Sequence, residues 1–439
     1  MKDKVIIVEI RKERTSMELL ERVLDDKNLY KAYKQVYKNK GTSGVDGITV
    51  DELGRYMYLH KEEIKEQIRN RKYKPSPVRR VYIPKENGDK RGLGIPTVVD
   101  RLIQQAIVQV LSPIYEQQFS ETSYGFRPNC SCETAIIKLL EYFNDGYTWI
   151  VDIDLQKFFD TVCHDKLISI IMKTIHDGEL VSLIRKYLVS GVMENGVVIP
   201  TKIVTPQGGN LSPLLSNIML NELDKELEKR GLKFTRYADD CIIVVQSEKA
   251  ANRVMESITK FIEKKLGLKV NIEKSKVAKP DEIKYLGFGF YYTQTGIIKP
   301  KPHLKSIQKF KRKLKQLTKR SWSISLKERI IRLNQVIRGW INYFRIAEME
   351  FDMTSIGSHL RRRIRCAIWK QWKNCKHREE CLIKLGISKN KARRTAYSRA
   401  SYWHNSRSLV INVAISNKRL QQKGLVFPLD HYLEVHTVI

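Results

Sequence analysis

Two rhythms of apolar spacing alternate along the 439-residue chain. Residues 16–70 carry helical spacing on either side of a turn, Gly41-Thr-Ser-Gly-Val-Asp-Gly47. The pattern then changes to strands: Arg79-Arg-Val-Tyr-Ile-Pro-Lys85 and Lys90-Arg-Gly-Leu-Gly-Ile-Pro96 flank Glu86-Asn-Gly-Asp89, whose Asn87-Gly88 step signals a tight hairpin. From Asp100 to Tyr115 apolar residues recur at helical spacing, with Asp100 as the expected N-cap. Tyr147-Thr-Trp-Ile-Val-Asp-Ile-Asp-Leu155 has the length and β-branched content of a buried strand, and it ends in carboxylates. Two further apolar runs, 233–237 and 241–245, enclose Ala238-Asp239-Asp240 and predict a second hairpin with acids at its tip. Helices fill the gaps between these strands.

Beyond residue 300 the chain reads as helical. Leu304, Ile307, Phe310, Leu314 and Leu317 form an apolar stripe opposite a basic face, and Leu333, Val336, Ile337, Trp340, Ile341 and Phe344 repeat the design. Ile297-Ile-Lys-Pro-Lys-Pro302 interrupts the patterns and suggests one boundary; a weaker one falls near 375–390. No internal repeat is visible.

Charge sharpens this division. The chain holds 80 Lys plus Arg against 48 Asp plus Glu, and residues 301–439 account for +24 of the net +32. Such a field attracts polyanions. No run reaches the roughly 18 apolar residues of a membrane span, so nucleic acid is the expected partner and a membrane is not. Trp322, Trp340, Tyr343, Trp369 and Trp372 are interleaved with the basic residues, as base-stacking groups or as core. Seven cysteines without a Cys-x-x-Cys pair, and no signal peptide, point to a reducing cytosol. Cys375, His377 and Cys381 match no common zinc spacing.

The acids carry the chemistry. On a strand, Asp152 and Asp154 share a face while Ile153 packs into the sheet. Like charges on an apolar strand are costly unless a cation neutralises them, and Asp239 with Asp240 raises the same objection. Hard oxygen ligands favour Mg2+. Asp154 beside Asp239 would hold two ions about 4 Å apart, the arrangement that activates a primer hydroxyl and stabilises departing pyrophosphate.

These residues resemble a known set. Asp154-Leu-Gln-Lys-Phe-Phe-Asp160, Thr205-Pro-Gln-Gly-Gly-Asn-Leu-Ser-Pro213 and Tyr237-Ala-Asp-Asp240 resemble motifs A, B and C of reverse transcriptases. Gly267-Leu-Lys-Val-Asn-Ile-Glu-Lys-Ser275 and Tyr285-Leu-Gly-Phe288 resemble motifs D and E, in the same order. The resemblance implies catalytic Asp154, Asp239 and Asp240, and metal ligation by Asp154, Leu155, Asp239 and Asp240. It implies Phe159 as the gate that excludes a ribose 2′-hydroxyl, although adjacent Phe158 could equally face inward. Gln207 would rest against the incoming nucleotide, Lys85 and Arg91 would hold its triphosphate, and Lys274 would protonate pyrophosphate, with Lys276 as the other choice.

Lys38-Asn-Lys-Gly-Thr-Ser-Gly-Val-Asp-Gly47 and Tyr124-Gly-Phe-Arg-Pro128 resemble the fingers of bacterial group II intron-encoded proteins, and Arg338-Gly-Trp-Ile-Asn-Tyr-Phe344 resembles their maturase (X) domain. The implied fold is α+β: a right-hand polymerase with an antiparallel palm sheet, followed by an all-α thumb. Fingers are expected over 1–145, palm over 146–298, thumb over 299–375 and a short basic nucleic-acid-binding segment over 376–439. The chain ends at Ile439 without the cysteine pairs of the His-Asn-His endonuclease found in many relatives, so second-strand cleavage is not expected. The implied partners are intron RNA, a DNA target or primer, and deoxynucleoside triphosphates, in the bacterial cytosol and at the nucleoid. RNA contact is expected at Lys309, Lys311, Arg312, Lys313, Lys315 and Arg338. Two alternatives stand beside this reading: an inactive RNA-binding splicing factor, which the intact acids oppose, and a retron- or defence-type enzyme, whose relatives usually lack the Gly339–Phe344 segment.

Overall fold

The helix Val98–Glu116 is buried on most of its surface, as its run of Val, Leu and Ile requires. Its start differs from the sequence expectation. Thr97, not Asp100, is the N-cap: its Oγ1 accepts the Asp100 amide at 3.1 Å. Val98 and Val99 supply a buried first turn ahead of Asp100, which leaves the carboxylate inside the helix. There Asp100 accepts the Tyr73 hydroxyl and the Ser76 amide, so the acid latches the chain entering the first hairpin.

The computed structural model describes residues 18–84, 88, 90–156, 158–194, 197–199 and 208–438, and only the backbone of 91, 159, 160 and 197–199. It divides into two compact units. The first joins the described residues up to Tyr142 with Gly146–Ala278; the second joins Phe143–Asp145 with the chain from Lys279 onward.

Ten strands are formed among the described residues: β1 (Val78–Pro84), β2 (Lys90–Ile95), β3 (Trp149–Ile153), β4 (Val192–Glu194), β5 (Val197–Ile199), β6 (Lys233–Tyr237), β7 (Asp240–Val245), β8 (Lys276–Ala278), β9 (Phe288–Tyr292) and β10 (Ile298–Pro302). In the first unit, β6-β7-β3-β8 make an antiparallel sheet with β3 central, and β2-β1-β4-β5 make a second sheet around the basic hairpin. The helices Leu19–Leu24 and Asp26–Asn39 pack on Val98–Glu116. The turn after them is pinned by arginines: Arg79 donates to the Ser43 carbonyl and Arg101 to that of Thr42. Gly44 lies so close to Thr97 that an added Cβ would meet backbone at 2.6 Å.

In the second unit β9 and β10 pair, so the segment read as an interruption, Ile297–Pro302, is largely strand. The helices Leu304–Leu317 and Leu326–Tyr343 follow, joined by Phe310 stacked on Trp340 at 4.4 Å. Ile307, Phe310, Leu314 and Leu317 are buried as the stripe requires; Leu304, at the helix start, is 70% exposed. The helix Glu350–Gln371 buries Trp369, which is therefore core and not a stacking surface. Residues 375–438 form six further helices, of which Pro428–Val435 packs on Leu326–Tyr343 and Glu350–Gln371. No helix among the described residues is long and apolar enough to cross a membrane.

Candidate active site

The antiparallel register of β3 and β7 sets Ile153 opposite Cys241. One step beyond the last pair, Asp154 takes the position across from Asp240. Tyr237 pairs with Asp240, which leaves Ala238 and Asp239 as the two residues of the hairpin turn. Ala238 has φ +58°, the positive value that lets a two-residue loop follow the strand twist. The sheet thus brings the three expected acids to one edge. Asp154 and Asp239 are half-buried, and Asp240 is exposed.

Asp154 is fixed through its backbone. Its amide donates to Ser275 Oγ at 3.0 Å and its carbonyl accepts the Asn271 amide at 2.8 Å. Leu155 is buried and bridges to Val270. These contacts place the segment 269–275 beside the acids, and Lys274 Nζ stands 3.8 Å from Asp154 Oδ2. Lys276 instead lies opposite Asp152 in the β3–β8 register. Burial, reinforced by the Asp154 charge, pushes the Asp152 carboxyl up to about 6, while Lys276 pulls the other way.

Behind the hairpin lies a network that sequence reasoning missed. Arg236, fully buried on β6, forms a two-pronged ion pair with Asp224, which is also fully buried. It further donates to Asn217 Oδ1 at 3.1 Å, Ser123 Oγ at 2.7 Å and the Ala238 carbonyl at 2.9 Å. Burial raises the Asp224 carboxyl above its ordinary value, and the Arg236 guanidinium opposes that rise. The segment 122–125 closes the arrangement: Thr122 accepts the Arg236 amide, Tyr124 donates to the Arg236 carbonyl, and Asn217 holds the Gly125 carbonyl. A Cβ at Gly125 would sit 2.2 Å from the Ala238 nitrogen, so only glycine permits this approach. The available signal was an arginine in a short strand, Lys233-Phe-Thr-Arg-Tyr237, that leads directly into the acids.

Lys85 and Gln207 lie outside the described residues, and of Arg91 and Phe159 only the backbone is described. Phe158 is buried in the core. Gly208, at φ +124°, approaches Gly94 of β2 so closely that a Cβ would meet its carbonyl oxygen at 2.3 Å. The chain just after Gln207 therefore packs on the basic hairpin. Lys309, Lys311, Arg312, Lys313, Lys315 and Arg338 are all exposed in the second unit. Cys381 Sγ lies 3.5 Å from His377 Nε2. Among the described residues no three His, Cys, Asp or Glu side chains gather to hold a metal ion, the three acids of the sheet edge included.

Residues 83–290 match the family model described as Reverse transcriptase (RNA-dependent DNA polymerase), and residues 307–386 match Group II intron, maturase-specific domain. Protein YkfC of Escherichia coli (strain K12) is 33% identical over 299 residues, covering 59% of this chain and 78% of YkfC. Group II intron-encoded protein LtrA of Lactococcus lactis subsp. cremoris is 42% identical over 214 residues, covering 48% of this chain. That match spans 35% of LtrA. Among solved structures, a chain of the Partial Cas6-RT-Cas1--Cas2 complex aligns with TM-score 0.37 and 24% identity, over 56% of this chain and 43% of that one. The two family models fall in the order of the motifs, one on the acid-bearing sheet and the other on the basic helices, and the chain belongs to the group II intron-encoded reverse transcriptase and maturase family.

Proposed function

We propose that the chain is an RNA-directed DNA polymerase that also serves as maturase, gripping a group II intron RNA to assist its splicing and copying it into DNA from a DNA primer. The observation that carries the reading is the β3–β7 register, which sets Asp154 across from Asp240 and beside the Asp239 turn. In this reading residues 1–145 are fingers, 146–298 palm, 299–375 thumb, and 376–439 a basic nucleic-acid-binding segment.

The donor set fits Mg2+: it consists of carboxylates, with the Leu155 carbonyl adjacent. Magnesium binds through one or two carboxylates and completes its shell with water and substrate phosphates. When bound, the ions would lower the barrier to attack by the primer hydroxyl and neutralise developing charge. The chain's own residues do the positioning. Ser275 and Asn271 hold Asp154 by its backbone, Arg236 holds the turn that carries Asp239, and Lys274 offers a proton donor beside Asp154. Lys85, Arg91 and Gln207 are assigned to the nucleotide, and Phe159 to the exclusion of ribonucleotides.

Primer extension on an RNA template with deoxynucleotides and Mg2+ tests this. Asp154→Ala and Asp239→Ala should each abolish extension. Residual activity within about tenfold of the unmodified protein, a barrier change of only ~1.4 kcal/mol, would overturn the assignment.

A further inference from the structure

The second unit contains a cavity of about 730 Å3, within the range of ligand sites. Its charged and aromatic lining is Lys319, Arg320, Arg363, Lys370, Tyr402 and Trp403, and no carboxylate stands among its described lining residues. We propose that it is a built site for a nucleic-acid strand, taking a backbone phosphate between Arg320, Arg363 and Lys370 and a base against Tyr402. This rests on the nucleic-acid-binding reading above and gives it a location.

Three observations support it. Cations crowd one ring: Arg378, Arg320 and Lys370 lie 5.2, 5.5 and 5.8 Å from the Tyr402 centroid. Some basic side chains on other helices have an acid one turn away, as Lys260 has Glu256 and Arg332 has Glu328. Gathering like charges without such acids is repulsive until a polyanion arrives. Second, the arginine at the centre is already oriented. Arg363 donates through Nε to Thr318 Oγ1 at 2.6 Å and through a terminal nitrogen to the Lys315 carbonyl, so little rotamer freedom remains to be lost on binding. Third, Arg363 also lines a neighbouring hollow of about 340 Å3 with Lys311, Lys315 and His359. An extended strand crossing from one hollow to the other would pass this arginine, and Tyr402 at one end supplies an aromatic surface of the kind such strands use.

The test compares the full-length protein with Arg320→Gln/Lys370→Gln, using fluorescence anisotropy of short labelled single strands of RNA and of DNA across a salt series. A control, Lys249→Gln/Arg253→Gln on the helix Glu248–Phe261 of the first unit, removes the same charge from exposed residues that do not line the cavity. The cavity variant should bind about tenfold more weakly, with its log-log salt slope reduced by about 1.4, as expected when two phosphates of a single strand are no longer neutralised. The strand with the larger loss names the source. Ser321→Glu, which places a carboxylate at the cavity without removing any cation, should weaken binding in the same direction and guards against misfolding of the double variant. If both variants bind like the control, the cavity is not a nucleic-acid site. Primer extension at saturating template separates this outcome from failure of the polymerase reading, because it depends on Asp154 and Asp239 and not on the cavity.

Discussion

Lys274 is two-thirds exposed, and at 3.8 Å from Asp154 it gains little as an ion pair. Its interest is its place, next to the acid edge on a segment hydrogen-bonded to Asp154, whereas Lys276 is committed to the strand position facing Asp152. If Lys274 donates the proton to pyrophosphate, Lys274→Ala should slow single-nucleotide incorporation by roughly a hundredfold, the lower range for general acid catalysis. Lys276→Ala should change it much less. Rapid-quench kinetics decides between them, and equal losses would remove Lys274 from the mechanism. At this scale the acids were readable because carboxylates at the ends of apolar strands demand a partner. The Arg236–Asp224 pair was not, because its members are 12 positions apart and meet only when the helix Ser212–Lys229 packs behind β6.

Elements were legible in proportion to the length of their pattern. Both hairpins and the helices Leu304–Leu317 and Leu326–Tyr343 carry stripes or turn signals that local chemistry enforces. The start of Val98–Glu116 was misread because two capping-type residues, Thr97 and Asp100, stand three apart and both take part in the cap. The helices after residue 375 are four to ten residues long, too short for an apolar period to emerge from a basic background. On Leu304–Leu317, the exposed Lys309, Lys311, Arg312, Lys313 and Lys315 lie away from buried Ile307, Phe310, Leu314 and Leu317. Reversing those five charges should flatten the salt dependence of RNA binding, by about 0.7 in log-log slope for each phosphate that these side chains neutralise. A slope that stays the same would make this face solvent-facing only.

At the scale of the whole molecule, the positive surplus is concentrated: the chain after residue 300 carries +24 of the net +32, and the acid edge lies in the first unit. If the RNA grip rests on that surplus, polymerisation and grip should be separable. Asp239→Ala with Asp240→Ala should eliminate DNA synthesis yet leave protein-assisted splicing of the cognate intron nearly intact, since deleting carboxylates makes the protein more attractive to RNA. Spliced product at near-physiological Mg2+ is the measurement. A double variant that binds RNA normally but fails to promote splicing would show that the two activities share this edge. The order of motifs made the family legible from sequence; the grouping of Phe143–Asp145 with the chain from Lys279 onward was not, because it depends on which segments pack together.

The clamp beneath the acid turn also makes a clock. The amide hydrogens of Tyr124 and Arg236 are bonded across the 122–125 crossing, around a guanidinium and a carboxylate with no exposure to water. Opening the crossing would draw the Ser123 hydroxyl away from the buried guanidinium, and leaving such a charge short of partners is costly, so local fraying is suppressed. In hydrogen–deuterium exchange these two amides should be among the slowest in the first unit, exchanging only when that unit opens as a whole. Their rate then reads the stability of the polymerase core, and rapid exchange there with the surrounding sheet still protected would show that the turn breathes on its own.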